Sequence, residues 1–325
     1  MPAAIRVHQL GGPEVLRFED ITVGTPGPGE VKLRHTAIGL NFVDTYFRSG
    51  LYKAPYGLPF IPGSEAAGVV LEVGEGVSEF APGDRVAYGT AFGAYSTERL
   101  VSAAQILKLP KTISDETAAA MMLKGMTARY LLRQTHPVKA GDTLLVHAAA
   151  GGVGLILCQW AAHLGATVIG TVGSAEKGEL ARANGATYVI NYREEDFAAR
   201  VKEITEGGLC DVVYDGVGQA TYPASLDCLR PRGLFASFGN ASGAIENFSL
   251  LSLSQKGSLY ATRPTLATHV ATRQALLANA NDLFDAVGSG VVKITIEQRY
   301  KLADAAQAHR DLEGRRTTGS TVLLP

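Results

Sequence analysis

The residues best suited to chemistry follow the apolar, β-type run Leu144-Leu145-Val146, which empties into His147-Ala148-Ala149-Ala150-Gly151-Gly152-Val153-Gly154. A chain that turns sharply here, with no bulky Cβ in the way, lets the next helix aim its free N–H groups at an anion. The apolar segment Leu155 to Leu164 supplies that helix. The spacing Ala149-x-Gly151-x-x-Gly154 is a dinucleotide-binding fingerprint with alanine in the first position. Gly151 would let the backbone approach a pyrophosphate, and Gly154 would let the helix pack closely on the strand. Ala150, Gly151, Gly152 and Val153 are therefore the expected contact residues. A mere tight turn would use the same glycines. The strand before and the helix after favour the nucleotide.

The end of the second strand, Thr167–Val172, indicates which nucleotide. A site for NAD usually carries Asp or Glu there, to hold the ribose 2′-hydroxyl. Here the chain reads Gly173-Ser174-Ala175-Glu176-Lys177, with no carboxylate at the tip. A small turn, a hydroxyl and a lysine one helical turn later suit a 2′-phosphate, so NADPH is the expected cofactor. Ser174 would equally serve as a helix cap and Lys177 as a solvated charge, and Glu176 opposes the phosphate.

These residues need a scaffold, and the length of 325 residues points to two lobes. From about Gly141 to Thr262, strands alternate with helical patterns. The strands are expected at Thr143–Ala148, Thr167–Val172, Tyr188–Asn191, Asp211–Asp215, Leu234–Phe238 and Ser258–Ala261. Such alternation predicts an α/β fold, a doubly wound parallel sheet with helices on both faces. The first third reads as short strands broken by turns, with strands at Val31–Ile38 and Val69–Gly74. A helix over Asp115–Arg133, capped by Ser114, bridges the two regions. The tail from about Thr265 carries a long helix, a strand near Lys293–Arg299, a second helix and a last strand, Ser320–Leu324. It is too short for a core of its own and should pack on the first region. The expected domains are 1–125, completed by 265–325, and a nucleotide-binding domain over 126–264. Cofactor and substrate would then meet in the cleft separating the lobes.

Composition removes several classes of function. Hydrophobic residues make up 46% of the chain and the formal net charge is −1, which offers no basic stripe for nucleic acid or an anionic membrane. No apolar run is long enough to span a bilayer. The three cysteines, Cys158, Cys210 and Cys228, form no CxxC pair, which predicts free thiols and a cytoplasmic protein.

Landmarks spread over nearly the whole chain are similar to one family. They are Gly39-Leu40-Asn41-Phe42-Val43-Asp44-Thr45-Tyr46, Pro62-Gly63-Ser64-Glu65-Ala66-Ala67-Gly68, Pro82-Gly83-Asp84-Arg85-Val86, the block from Gly141-Asp142 to Gly154, Asp215-Gly216-Val217-Gly218, and Arg315 to Pro325. The sequence resembles the quinone oxidoreductase, or zeta-crystallin-like, branch of the medium-chain dehydrogenase/reductases. The resemblance implies a GroES-like, mainly β catalytic domain, a Rossmann domain and a homodimer. It also implies cofactor contacts at Lys124 and Thr127 near the ribose and nicotinamide, and at Tyr192 by the adenine and 2′-phosphate. Gly216, Phe238, Gly239, Asn240 and Arg263, after the later strands, would contact the cofactor too. Zinc-dependent alcohol dehydrogenases of the superfamily carry a cysteine ligand where this chain has Asn41, and Gly-His-Glu where it has Gly63-Ser64-Glu65. No cysteine precedes Cys158, and no histidines form a ligand-spaced pair, so no metal site is expected. His147 is read as a packed or hydrogen-bonded strand residue.

Without a Lewis acid the chain is poorly equipped to polarise an alcohol or simple ketone. Quinones and activated enones need less help, because their acceptor carbons are already electrophilic. The protein then has to hold the nicotinamide flat against the acceptor in a dry slot. Asn41, Tyr46 and Tyr52 are the expected catalytic residues, lining that slot as positioning groups, with Asn41 also touching the cofactor. Asn41 closing a turn and the tyrosines packing at the lobe boundary is the plainer alternative. The expected function is an NADPH-dependent quinone reductase. Reduction of an enone or alkenal double bond is the alternative, and a non-catalytic, crystallin-like NADPH- or RNA-binding protein ranks last.

Overall fold

The computed structural model describes all residues, Met1–Pro325. The chain opens with strands β1 (Ala3–Val7), β2 (Leu16–Asp20) and β3 (Glu30–Leu40) and helix α1 (Phe42–Ser49). Strands β4 (Glu65–Val73), β5 (Arg85–Tyr88), β6 (Glu98–Ser102) and β7 (Leu107–Lys108) follow. Helix α2 (Asp115–Tyr130) leads into an alternating series. It runs β8 (Thr143–Val146), α3 (Gly152–His163), β9 (Thr167–Val172), α4 (Ala175–Ala183), β10 (Tyr188–Asn191) and α5 (Phe197–Ile204). It continues with β11 (Cys210–Asp215), α6 (Ala224–Asp227), β12 (Leu229–Ser237), α7 (Leu250–Gln255) and β13 (Tyr260–Thr262). The tail holds α8 (Leu266–His269), α9 (Arg273–Gly288), β14 (Ile296–Lys301), α10 (Ala305–Glu313) and β15 (Ser320–Leu324).

These elements form two compact units. One comprises Met1–Met126, His269–Gly288 and Ile294–Pro325, the other Thr127–Thr268 and Ser289–Lys293. The tail is thus divided, whereas the sequence assigned it whole to the first region. One tie explains part of the difference. Gln159 on α3 accepts from the Lys293 N–H at 2.8 Å and donates to its carbonyl at 3.1 Å, which fastens that segment to the second unit.

In the first unit, seven strands form one sheet in the order β14-β15-β3-β4-β5-β7, with β6 also paired to β3. Strand β3 carries most of this sheet. Its residues alternate between buried positions such as Val31 and Leu33 and more exposed ones such as Lys32 and Arg34, the period-two pattern of a half-buried strand. The last strand returns to it: β15 runs antiparallel to β3, with Val322 opposite Gly39 and Leu323 opposite Ile38, all four buried.

In the second unit, six parallel strands lie in the order β10-β9-β8-β11-β12-β13. The sheet therefore grows outward in both directions from β8, which puts the change of direction at the ends of β8 and β11. Leu144, Leu145, Val146, Val168, Ile169, Val212 and Val213 are fully buried, as strands covered on both faces must be. Several boundaries differ from the sequence expectation: β4 starts at Glu65 rather than Val69, β14 starts at Ile296 rather than Lys293, and β8 ends at Val146 because the left-handed Ala148 (φ 53°) already belongs to the turn. Strand β12 starts at Leu229 rather than Leu234, because a register shift against β11 lets the strand carry Pro231 and the left-handed Arg232 (φ 63°). Strand β13 starts at Tyr260, since Ser258 (φ 56°) still belongs to the turn before it. Helix α2 stops at Tyr130, short of Arg133, and gives way to a widened turn over Leu131–Thr135. Its N-terminus is capped as expected, with the Ser114 hydroxyl accepting from the Thr117 N–H at 3.1 Å.

Candidate functional site

In the second unit the glycine-rich turn leaves β8 through His147, which is buried between two hydroxyls. Its Nδ1 lies 2.9 Å from Thr171 Oγ1 and its Nε2 2.9 Å from Ser225 Oγ. Burial holds its pKa below the usual histidine value, so it stays a neutral, hydrogen-bonded residue. Ala148 then takes a left-handed conformation (φ 53°), and α3 begins at Gly152 with no acidic residue in its first turn. A Cβ on Gly154 would sit 2.3 Å from the Ala148 carbonyl oxygen, so only glycine lets the helix meet the turn this closely. A helix N-terminus bare of side-chain caps and of carboxylates fits a pyrophosphate. Ala150, Gly151, Gly152 and Val153 all belong to this turn and the first turn of the helix.

The neighbouring strand ends are built around Asp215. Its carboxylate accepts from the N–H groups of Val217 at 2.7 Å and Gly218 at 2.9 Å, and from Thr221 Oγ1 at 2.6 Å. This shapes the turn at Gly216, whose position for a Cβ is 3.0 Å from the Phe238 ring. Gly239 in turn approaches Gly216, since its own Cβ would lie 2.3 Å from the Gly216 carbonyl oxygen. Asn240 follows directly in this loop, and Arg263, after β13, donates to the Ser237 carbonyl at 2.8 Å. Predicted residues after β11, β12 and β13 are thus gathered at one edge of the sheet. Thr127 is buried within α2.

At the end of β9, Ser174 caps α4 by accepting from the Lys177 N–H at 3.3 Å, so its structural role is realised. Tyr192 closes over the same turn, with its hydroxyl 2.6 Å from where a Gly173 Cβ would be. The Nε of Arg193 is 3.6 Å from that point, which places its guanidinium beside Gly173. Sequence reading passed over Arg193, although a base directly after Tyr192 was its available signal.

In the first unit the centre is the carboxylate of Glu65, which the sequence alone did not mark as functional. Glu65 is fully buried at the start of β4. Its Oε2 accepts from Lys124 Nζ at 2.8 Å and from Asn41 Nδ2 at 2.8 Å, and its Oε1 accepts from the Leu123 N–H at 2.8 Å. A charged residue opening the apolar run Ala66-Ala67-Gly68-Val69-Val70 was the signal, since such a charge must find partners inside. Asn41, the residue before α1, is itself buried and committed to Glu65 through its amide. Tyr46 and Tyr52 come together edge to face, their ring centroids 5.2 Å apart, and Phe47 joins them at 5.8 Å from Tyr52. The structure therefore unites Asn41 with Lys124 through Glu65, and Tyr46 with Tyr52 through their rings.

No three His, Cys, Asp or Glu side chains are grouped so as to hold a metal ion. Zinc needs thiolate, imidazole or carboxylate ligands. Here Asn41 and Ser64 offer none of these, and Glu65 is already engaged by Lys124, so the residues do not fit a catalytic zinc.

A GroES-like domain and a Rossmann domain in one chain define a medium-chain dehydrogenase/reductase. Residues 27–111 match the family described as alcohol dehydrogenase GroES-like domain, and residues 152–291 match that described as zinc-binding dehydrogenase. Over its full length the chain is 55% identical to a quinone oxidoreductase of Pseudomonas aeruginosa, with 100% of both chains covered. It superimposes on Escherichia coli quinone oxidoreductase complexed with NADPH with a TM-score of 0.97 at 51% identity, covering 99% of this chain and 100% of that one. A 2-haloacrylate reductase of Burkholderia sp is 49% identical over 100% of this chain and 99% of its own. The chain belongs to the quinone oxidoreductase family.

Gly39 makes the Glu65 cluster testable. A Cβ there would lie 2.1 Å from the Ala119 carbonyl oxygen and 2.4 Å from Glu65 Oε2. Gly39→Ala is expected to displace Glu65 and cost about 1–3 kcal/mol in urea unfolding. Unchanged stability would mean that Glu65 is not tightly held.

Proposed function

We propose that this chain is an NADPH:quinone oxidoreductase that works without a metal ion. The observation that carries the reading is that Asn41, which by resemblance stands where zinc-dependent relatives have a cysteine ligand, is joined with Lys124 to the buried Glu65 carboxylate. A fixed ammonium group and an amide remain there, suited to positioning an acceptor that is already electrophilic.

NADPH, when bound, supplies the hydride. Ala150, Gly151, Gly152 and Val153 would hold its pyrophosphate by backbone N–H groups at the start of α3. Gly173, Ser174, Lys177 and Tyr192 would hold the 2′-phosphate, with Arg193 as a further cation. Gly216, Phe238, Gly239, Asn240 and Arg263 would line the nucleotide along the later strand ends, with Thr127 and Lys124 toward the ribose and nicotinamide. Asn41, Tyr46 and Tyr52 would orient the quinone, the tyrosine rings offering apolar faces with polar tips. Negative charge gained by the acceptor delocalises onto its oxygens, and one proton per hydride completes the hydroquinone.

The first unit serves as the catalytic domain and the second as the nucleotide-binding domain. We also propose a homodimer. Strand β13 is an edge strand, and Tyr260 on it is 62% exposed while nearby Leu250 and Leu251 on α7 are 77% and 64% exposed. An apolar open edge of this kind calls for a partner strand. Sedimentation should give the mass of two chains, and the mass of one would contradict the pairing. A cytoplasmic setting fits three buried, unbridged cysteines, and recovery in a secreted fraction would contradict it. No helix is long and apolar enough to cross a membrane.

Activated double bonds form the second reading, favoured by the likeness to the 2-haloacrylate reductase. Absorbance-monitored oxidation of NADPH and NADH, with a small quinone and with an enone of similar size, separates the two. Fast NADPH oxidation with the quinone is expected, and turnover with the enone alone would replace the first reading by the second. Lys177→Ala should weaken NADPH about tenfold or more and leave NADH nearly unchanged. Equal loss for both would remove the 2′-phosphate assignment.

A further inference from the structure

Behind Asn41 lies a buried chain of polar side chains for which the reaction outlined above gives no role. Arg48 of α1 donates from Nη1 to His309 Nδ1 at 3.1 Å, and His309 Nε2 lies 3.0 Å from the Tyr95 hydroxyl. The Tyr95 hydroxyl donates to Asp44 Oδ2 at 3.0 Å, and the same oxygen accepts from the Asn41 backbone N–H at 2.9 Å. Arg48, His309, Tyr95 and Asp44 are all buried. At the far end, Arg48 is paired with the partly exposed Glu313, with Nη2 2.6 Å from Oε1, and donates from Nε to the Gly11 carbonyl.

The direction of this chain is fixed. An arginine can only donate, so His309 Nδ1 must accept and its proton must sit on Nε2. The imidazole then donates to the Tyr95 oxygen, which leaves the tyrosine proton for Asp44. His309 is neutral, its pKa pushed down to about 3 by burial and then by the Arg48 charge. Because arginine does not give up its proton, the chain orients Asp44 rather than conducting protons to solvent. Both bonds reach Oδ2, whereas Oδ1 of Asp44 is buried with no hydrogen-bond partner among the protein's own groups. An ionised carboxylate would leave a bare charge there, and a protonated one has Oδ1 free to carry the hydrogen.

We propose that Asp44 is a positioning residue that works as a neutral acid, holding Asn41 by its backbone and keeping a second negative charge away from the Glu65–Lys124 pair. The proposal rests on the quinone reductase reading for its effect on rate, but not for the protonation of Asp44 itself. Burial raises the Asp44 pKa to about 7, with Glu65 raising it slightly and the bonds from Asn41 and Tyr95 and the charge of Lys124 lowering it. The groups facing Asp44 are thus Tyr95, Lys124 and Glu65, with His309, Arg48 and Glu313 behind Tyr95. Below neutral pH Asp44 is uncharged. Above it, a new anion opposes the negative charge that the acceptor gains, and draws on the Lys124 ammonium.

The test is the pH profile of NADPH oxidation with a small quinone, for the unmodified chain, Asp44→Asn and Tyr95→Phe. The unmodified rate should fall as pH rises through about 7, and Asp44→Asn, a permanent neutral isostere, should lose that inflection. Tyr95→Phe removes a bond that favours the carboxylate, so its inflection should move upward, by about one pH unit. An inflection that survives in Asp44→Asn, or stays in place in Tyr95→Phe, overturns the proposal. If Asp44→Asn does not fold, the Tyr95→Phe shift decides. Infrared difference spectra across the same pH range need no substrate. They should show the carbonyl stretch of a protonated buried carboxyl, lost on raising the pH, and its absence at pH 6 would overturn the proposal. If that band is present while quinone turnover is absent, the functional reading fails and the protonation of Asp44 stands.

Discussion

Glu65 has no exposure to solvent, and a buried carboxylate survives only with its charge and lone pairs answered. Lys124 answers the charge, while Asn41 and the Leu123 N–H take further positions around the carboxylate. This one cluster ties the start of β4, the residue before α1 and the middle of α2 to a common point. Removing either member of such an ion pair strands the other, at a cost of about 3–5 kcal/mol. The same atoms that make the pair obligatory for the fold place an ammonium and an amide together. Gly39, on the central strand of the sheet, is small so that the carboxylate can lie against it.

The second unit meets a different constraint with the same economy. A parallel sheet directs all its carboxyl ends to one edge, so the loops that leave them can share a single elongated ligand. His147 and Asp215 hold the two central loops from inside. Each spends its polar atoms on neighbouring backbone and hydroxyl groups, which leaves the glycine turn and the start of α3 open. Buried polar groups here therefore shape the turns at the strand ends. Asp44 and its chain of partners do comparable work behind Asn41.

How much of this was legible depended on whether a signal was local. The glycine turn, the strands Thr167–Val172 and Tyr188–Asn191, and the Ser114 cap all follow from short-range pattern, and all lie where the sequence put them. Strand β12 is expected only from Leu234, whereas a register shift against β11 lets it begin at Leu229 and include Pro231 and Gly233. Asn41 is expected from the sequence to line the substrate slot, and the structure adds that its Nδ2 donates to Glu65, a partner 24 positions away. The Arg48–His309 contact joins residues 261 positions apart, which no spacing rule could connect. Tyr46 and Tyr52 are expected from the sequence to line the slot, and their rings meet edge to face as one aromatic pair.

The most direct measurement is a double-mutant cycle on the central pair, using Glu65→Gln, Lys124→Met and the two combined. Urea unfolding and NADPH oxidation with a small quinone would be followed together. The account predicts that each single change destabilises by several kcal/mol, and that the double variant is more stable than the sum of the two losses implies, with a coupling of about 1–3 kcal/mol. Turnover should fall about as far in each single variant as in the double, because the residues act as a unit. Strictly additive losses in stability and rate would contradict it, and would mean that Glu65 and Lys124 serve separate ends.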